Sequence, residues 1–174
     1  SLLEETEVSL DPQQLKLDVV LKHLKPLLEN PSMTVVGHNL KYDMHIMARY
    51  GVSITAIEDT MIMSYDLFGA THGHGMDELA ELYLSYQTIT FKEVMAKANA
   101  KDSFAEVPIK LATAYAAEDA DITWRLYEKF APQLISRQVS NVYETLDKPL
   151  VPVLLAMEEK GIYVDPQELS AMSQ

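Results

Sequence analysis

The fold is decided by a stretch in which a short apolar run gives way to a polar one, Met33-Thr34-Val35-Val36-Gly37-His38-Asn39-Leu40-Lys41-Tyr42-Asp43. The apolar run is partly β-branched and lies between Pro31 and Gly37, which is typical of a short buried parallel strand. After it, apolar residues return at helical spacing as Leu40, Met44 and Met47. The stretch therefore predicts a strand that leads directly into a helix.

The same alternation continues along the chain. The pattern predicts a second strand over 52–57, a short β-like piece after residue 160, and helices over 12–29, 40–50, 60–68, 76–84, 109–130 and 141–160. Strands that alternate with helices indicate an α/β fold with a helix-covered parallel sheet. Because such sheets average about five or six strands, we expect this chain to begin partway into its fold.

Composition excludes several classes of protein. The chain has 174 residues and no cysteine, so it has no disulfide scaffold, thiolate zinc site or cysteine nucleophile. Its apolar runs are far shorter than the roughly 18 residues that cross a bilayer, and no membrane partner is expected. With 14 Lys and Arg against 26 Asp and Glu, the net charge of −12 disfavours nucleic-acid binding, unless some carboxylates hold divalent cations that reverse the local sign.

The first candidate site follows the first predicted strand. Ligand sites in open α/β sheets lie outside the carboxyl ends of strands, which is where Asn39 and Asp43 are expected. Asp43 would lie in the first turns of the next helix. The alternative interpretation is a solvated first-turn acid that the helix dipole stabilises.

The second candidate site is the segment Tyr115-Ala116-Ala117-Glu118-Asp119-Ala120-Asp121. Tyr115 and Asp119 are four residues apart, so they share one face of a helix. Their neighbours are small and leave room for a ligand, and bound cations can offset the repulsion between the three acids. The alternative is a solvated acidic face with Tyr115 packed in the core.

Together these carboxylates favour a hard cation such as Mg²⁺ or Mn²⁺. A pair of such ions is the usual device for displacement at phosphorus, although Asp43 and Asp119 alone are too few to hold two. A competing metal site would combine His72 and His74 with His38 or His45, but two histidines in a Gly-rich loop are more typical of an exposed turn.

The motifs together resemble the 3′–5′ proofreading exonuclease domain of bacterial DNA polymerase I (family A), in the DEDDy group of the DnaQ-like, or RNase H-like, superfamily. The second motif of that family matches 38–43, the third matches 115–121, and further similar segments are 59–65, 76–80, 88–91 and 149–165. The resemblance implies an α/β, RNase H-like mixed sheet flanked by helices and lacking its N-terminal strands. It divides the chain into a partial exonuclease domain, 1–136, and a linker with the helical opening segment of the polymerase domain, 137–174.

The resemblance also implies roles for single residues. Asp43 and Asp119 would be catalytic ligands of two divalent cations, Mg²⁺ or Mn²⁺ with Zn²⁺ as an alternative. Tyr115 would be the catalytic tyrosine that hydrogen-bonds the attacking water. Asn39 would lie near the terminal nucleotide, and Phe91 would contact the single-stranded 3′ end of DNA.

The chain departs from the family pattern at the first motif, which in the family is an Asp-x-Glu at the end of the first strand of the sheet. Glu5-Thr6-Glu7 has similar spacing, but only Leu2 and Leu3 precede it. We therefore expect the chain to start after that motif and to be inactive as a fragment. We also expect it to be unstable, or to fill the gap in its sheet with a second copy or with its own opening segment. Its other expected partner is the remainder of a cytoplasmic, nucleoid-associated DNA polymerase I. The alternatives are a non-catalytic structural domain and a ribonuclease D-like RNA exonuclease, against which residues 149–165 count.

Overall fold

The fold is built on a small parallel sheet. The computed structural model describes residues 14–101 and 103–173. Strand β1 (Val35–Gly37) pairs in parallel with β2 (Ile57–Asp59), and Val35 lies opposite Ile57. Within the described part of the chain these two strands make the whole sheet, so the side of β1 away from β2 has no strand partner there.

Helices make up most of the remaining structure. They are α1 (Leu17–Leu28), α2 (Leu40–Ala48), α3 (Thr60–Phe68), α4 (Met76–Leu79), α5 (Phe91–Ala98), α6 (Ile109–Ser136), α7 (Ser140–Val142), α8 (Lys148–Lys160) and α9 (Pro166–Met172). A π-helical turn, Ala80–Leu84, extends α4, and another, Tyr143–Asp147, joins α7 to α8. Across residues 14–101 and 103–173, no helix has both the length and the apolar character needed to cross a bilayer.

The core centres on the long helix α6. Its residues Ile122, Leu126 and Phe130 follow one another at four-residue spacing and are completely buried. They pack against α3 and α4, and Tyr143 from the turn after α7 lies in the same cluster. Because α6 also packs on β1, the N-terminal half of this helix reaches the carboxyl end of the sheet.

A second core cluster joins the sheet to α2 and α8. Leu40 and Met44 from α2 meet Ile57 of β2 and Val151 of α8 in it. The ion pair between Lys41 and Glu158 also links α2 to α8. The segment after residue 136 therefore supplies buried residues to both clusters, while the predicted domain boundary at that position stays a prediction.

Several predicted elements are confirmed. Helix α3 has the predicted ends, β1, α2 and the helical segment 140–160 lie within a few residues of the predicted bounds, and α6 begins as predicted but continues to Ser136. The first helix begins at Leu17, later than predicted, because the described residues 14–16 are not helical. Glu5-Thr6-Glu7 lies outside the described residues. The fold is mixed α/β and mostly helical, and its small parallel sheet agrees with the predicted parallel pairing.

Two predicted strands were wrong. The second strand begins at Ile57 rather than Val52, because Val52 and Ile54 are buried by packing outside the ladder and their apolar pattern reports burial alone. The β-like piece after residue 160 is irregular. It leads into α9 because the Asp165 side chain accepts a hydrogen bond from the Gln167 N–H, and Pro166 suits the first helical position.

Candidate active site

A cavity of about 510 Å³ lies at the carboxyl end of β1. Strand β1, the start of α2 and one turn of α6 form its walls. The polar residues that line it include His38, Asn39, Asp43, Asp119 and Thr123. The structure thus brings Asp43 and Asp119 from separate elements to one cavity, at the end of the sheet where ligand sites are expected.

The turn between β1 and α2 is held by a carboxylate that the sequence interpretation did not assign to the site. The side chain of Asp59, at the end of β2, is only 2% exposed. Its oxygens accept hydrogen bonds from the Asn39 N–H at 3.1 Å and the Leu40 N–H at 2.7 Å. Asn39 adopts the left-handed conformation with φ of 59°, so these bonds fix a turn that an L residue rarely adopts.

Asp59 also begins α3. The same carboxylate accepts hydrogen bonds from the backbone N–H groups of Met61 at 2.9 Å and Ile62 at 3.4 Å. An aspartate directly before a predicted helix is a cap signal readable from sequence. Its bonds to Asn39 and Leu40, about twenty residues away, are not readable in that way.

Asp43 lies one turn into α2, on the wall of the cavity. Partial loss of solvent raises the pKa of Asp43, and the negative charge of Asp59 raises it further. The raised pKa means that the surroundings disfavour the ionised form of Asp43, so a cation in the cavity would stabilise that form.

Tyr115 and Asp119 lie one turn apart on one face of α6, near enough for each to shift the pKa of the other. Burial, followed by the charge of Asp119, raises the pKa of Tyr115 to about 12. Burial also raises the pKa of Asp119, while the neighbouring Tyr115 hydroxyl lowers it. Tyr115 is not among the residues that line the cavity, and it is connected to the cavity through Asp119.

Phe91 is the first residue of α5 and is half exposed. Its ring stacks on Phe104 with centroids 5.8 Å apart and an interplanar angle of 20°. Phe104 in turn lies 5.9 Å from the Tyr115 ring. Phe91 is therefore outside the cavity but joined to Tyr115 through Phe104, an aromatic residue that the sequence interpretation missed.

The competing histidine site does not form. Both ring nitrogens of His72 lie within hydrogen-bond distance of protein atoms, Gly73 O and Tyr83 Oη, and those of His74 lie near Ser64 Oγ and Gly69 O. Across residues 14–101 and 103–173, no three His, Asp or Glu side chains are grouped closely enough to hold a metal ion. The expected site combines Asp43 and Asp119 with the two acids of an Asp-x-Glu motif. Within residues 14–101 and 103–173, Asp43 and Asp119 are the only carboxylates that line the cavity.

Comparison with known proteins places the chain in a family. A family model described as a 3′–5′ exonuclease matches residues 3–135. The DNA polymerase I of Rhizobium leguminosarum is 44% identical over 160 residues, covering 92% of this chain and 16% of its own length. The DNA polymerase I of Pseudomonas aeruginosa is 38% identical over 167 residues, covering 94% and 18% respectively.

A third relative agrees with these two. The DNA polymerase I of Treponema pallidum is 41% identical over 151 residues, covering 85% of this chain and 15% of its own length. The chain therefore spans less than one fifth of each of these relatives. The matched region includes the cavity and both candidate motifs. The chain belongs to the 3′–5′ exonuclease family, and residues 3–135 carry the match.

Proposed function

We propose that this chain is the proofreading module of a DNA polymerase I and that its cavity serves metal-dependent removal of nucleotides from the 3′ end of DNA. The observation that carries the proposal is the arrangement of Asp43 and Asp119. They come from α2 and α6 and line one cavity, and Tyr115 lies one helical turn from Asp119.

The chemistry of the cavity fits a divalent cation. Burial raises the pKa values of both Asp43 and Asp119, and nearby Asp59, Asp77 and Glu118 add negative charge. Oxygen ligands of this kind suit Mg²⁺ or Mn²⁺. Asp43 and Asp119 would hold the cations, which supply positive charge against the phosphodiester oxygens and favour ionisation of water.

Tyr115 would orient the attacking water. With a pKa raised to about 12 by burial and the charge of Asp119, its hydroxyl stays protonated at neutral pH. The lone pairs of that hydroxyl remain able to accept a hydrogen bond from water. In the reaction, the water oxygen bonds to phosphorus and the bond to the 3′ oxygen of the preceding nucleotide breaks. That oxygen takes up a proton, and a nucleoside 5′-monophosphate leaves.

The proposed substrate is the single-stranded 3′ end of DNA. Asn39 lies at the cavity and would contact the terminal nucleotide, while Phe91 would contact the unpaired strand. A mismatched 3′ end is already partly unpaired, so a site for single strands gains selectivity for errors. The remainder of a polymerase chain is the proposed partner, since the three relatives described above are DNA polymerase I proteins.

Two carboxylates are too few for a two-cation site, and we propose that these 174 residues alone hydrolyse DNA poorly. In an RNase H-like sheet, a strand with an Asp-x-Glu motif beside β1 would supply the two others. In the described part of the chain, that edge of β1 has no strand partner. A second copy of the chain could pair with it instead, which would make the fragment self-associate.

A non-catalytic role is the second candidate. It is favoured by the small number of carboxylates that the described residues bring to the cavity. In that case the domain would act as a structural spacer for the polymerase.

The test compares two proteins on 5′-labelled single-stranded DNA with Mg²⁺ or Mn²⁺. The 174-residue chain is expected to release little mononucleotide. The longest natural protein that contains it is expected to release mononucleotides, with a loss of at least about 100-fold in Asp119→Ala. Asp121→Ala is the matched control, because Asp121 is an exposed acid on the same helix, paired with Arg125.

The outcomes separate the candidates. No metal-dependent release by the longer protein would favour the structural role, and full activity of Asp119→Ala would remove Asp119 from the mechanism. Rapid release by the 174-residue chain would contradict the proposal that it lacks essential ligands. The same assay on single-stranded RNA tests the ribonuclease alternative, which requires faster release from RNA than from DNA.

A further inference from the structure

We propose that Phe104 is a second base-stacking residue beside Phe91, and that Glu118 is the positioning residue that holds this aromatic pair next to Tyr115 and Asp119. The inference rests on the proposed function, because it gives the pair single-stranded DNA as its ligand. It goes further by assigning roles to Phe104, which lies outside both motifs, and to Glu118, which lies in the third motif but has no role assigned there.

The first observation is the aromatic series that leads to the site. Phe91 and Phe104 are stacked, Phe104 contacts Tyr115, and Tyr115 lies one turn before Asp119 on α6. Phe91 is 50% exposed and Phe104 is 36% exposed, so both rings offer surface to a base. Every base has a π face, and stacking on aromatic rings binds single strands with little sequence preference.

The second observation is that Glu118 fixes the segment leading into α5. Its Oε1 accepts a hydrogen bond from the Tyr86 hydroxyl at 2.7 Å, and its Oε2 accepts one from the Ile89 N–H at 2.6 Å. Ile89 is two residues before Phe91. Glu118 is therefore more than a solvated acid of the α6 face, since it ties the Phe91 segment to the helix turn that carries Asp119.

Neighbouring bonds complete the attachment. The Thr88 hydroxyl donates to Asp77 at 2.6 Å, and Thr90 and Glu93 form a capping box at the start of α5. On the other side of the pair, the Ser103 hydroxyl accepts a hydrogen bond from the Ala105 N–H. The backbone before Phe91 is thus held at a defined position relative to α6, while the turn that carries Phe104 is capped locally and meets α6 through the contact of Phe104 with Tyr115.

The net negative charge of the chain explains why its binding of DNA would rely on stacking. The chain carries a net charge of −12, so electrostatic attraction to phosphates contributes less than it does in basic nucleic-acid-binding proteins. Stacking does not depend on that charge. A pair of exposed aromatic rings beside an acidic site therefore supplies affinity for the bases, while cations at Asp43 and Asp119 would meet the phosphate.

The experiment uses the 174-residue chain and exploits its four phenylalanines. Phenylalanine is labelled with ¹³C, and an eight-residue oligo-dT is titrated by NMR with metal ions chelated, so that no cleavage occurs. We expect the ring signals of Phe91 and Phe104 to shift. The completely buried Phe130 serves as a control in the same spectrum and should stay unchanged.

Variants then test the stacking residue. Phe104→Leu keeps an apolar side chain but removes the aromatic face, and it should weaken binding roughly 5- to 100-fold, as expected for the loss of one base–aromatic contact. Oligonucleotides with one abasic nucleotide near the 3′ end complete a double-mutant cycle. At one position, removing the base should weaken binding by the wild-type chain and leave binding by Phe104→Leu unchanged.

The Glu118 variants separate positioning from charge. Glu118→Gln loses the charge but can keep both hydrogen bonds, because its amide oxygen accepts from Ile89 and its NH₂ donates to Tyr86. It should bind DNA at least as well as the wild type. Glu118→Ala loses the same charge and both bonds, and it should bind roughly 5-fold or more weakly with the Phe130 signal unchanged. Asp121→Ala controls for loss of a nearby exposed charge.

Each contrary outcome is decisive. The inference is overturned if the wild type shows no shift of Phe104 with DNA, if Phe104→Leu binds as the wild type does, or if Glu118→Ala binds as Glu118→Gln does. Nucleotide release by the longest natural protein containing this chain is measured separately. Binding that depends on Phe104 without nucleotide release would refute the proposed catalysis and leave the stacking site standing.

Discussion

The buried carboxylate of Asp59 accepts a hydrogen bond from the Leu40 N–H at 2.7 Å. This bond joins the end of β2 to the start of α2, the helix that carries Asp43. Because Asp59 also caps α3, one side chain sets the relative positions of two helices at the carboxyl end of the sheet.

Asp59→Asn is expected to destabilise the chain. One Asp59 oxygen accepts from the Leu40 N–H, and the other accepts from three N–H groups, those of Asn39, Met61 and Ile62. An asparagine has only one oxygen, so one of these two sets of donors loses its acceptor. The expected cost is about 1–3 kcal/mol in the free energy of unfolding, measured by urea denaturation. Asp165→Asn is the matched control, because Asp165 is an exposed cap and asparagine caps helices about as well as aspartate. Equal stabilities of the two variants would contradict the assigned role of Asp59.

Tyr143→Phe should also destabilise the chain, because the Tyr143 hydroxyl is hydrogen-bonded to strand β2. The Tyr143 hydroxyl accepts a hydrogen bond from the Asp59 N–H at 3.0 Å and donates one to Glu58 at 2.8 Å, inside the core. Removing that oxygen leaves a buried N–H unsatisfied and should lower the free energy of unfolding by about 1–3 kcal/mol. Tyr163→Phe, at a tyrosine that is 87% exposed, should change stability by less than about 0.5 kcal/mol. A Tyr143→Phe chain as stable as the wild type would show that the bond is not formed in solution.

Stability should fall as the pH rises through neutrality because of Asp66 on α3. Loss of solvent, and then the nearby Asp147 carboxylate, raise the pKa of Asp66 from its ordinary 3.8 to about 7. A carboxyl whose pKa is raised by folding contributes stability that is complete below the unfolded pKa and is lost as the pH rises through the folded pKa.

The measurement for Asp66 is urea unfolding at pH 5, 7 and 8.5. The wild type should lose stability across this range, and Asp66→Asn should lose less, because the asparagine has no charge to bury. Glu159→Gln, at an exposed position on α8, should retain the wild-type pH dependence. If Asp66→Asn also retains the full dependence, another group is responsible.

Local signals in the sequence predicted much of this fold. Helix α3 has the predicted ends because Asp59 caps it and glycine follows Phe68, and both features act within a few residues. The second strand was misplaced because burial of Val52 and Ile54 produces the same apolar pattern as strand pairing. The apolar pattern indicates which side chains are buried, and it does not indicate how the backbone of those residues is hydrogen-bonded.

The site was predictable only in part, for a related reason. Asp43 and Asp119 lie in recognisable motifs, whereas the bonds from Asp59 to Leu40 and from Glu118 to Ile89 connect residues about twenty and thirty positions apart. Phe104 lies between α5 and α6, where the sequence patterns predict no element, and its contacts with Phe91 and Tyr115 join residues more than ten positions apart. Such contacts depend on the tertiary fold, and no local pattern encodes them.

The central claim is that Asp43 and Asp119 act on the same phosphodiester, and a kinetic double-mutant cycle tests it most directly. Rates of 3′-nucleotide release are compared for Asp43→Asn, Asp119→Asn, the double variant and Asp121→Asn, in the longest natural protein that contains this chain. Residues that act as a unit are strongly non-additive. Each single variant should therefore lose at least about 100-fold, and the double variant little more than either. Losses that multiply, or a single variant as active as Asp121→Asn, would contradict the claim.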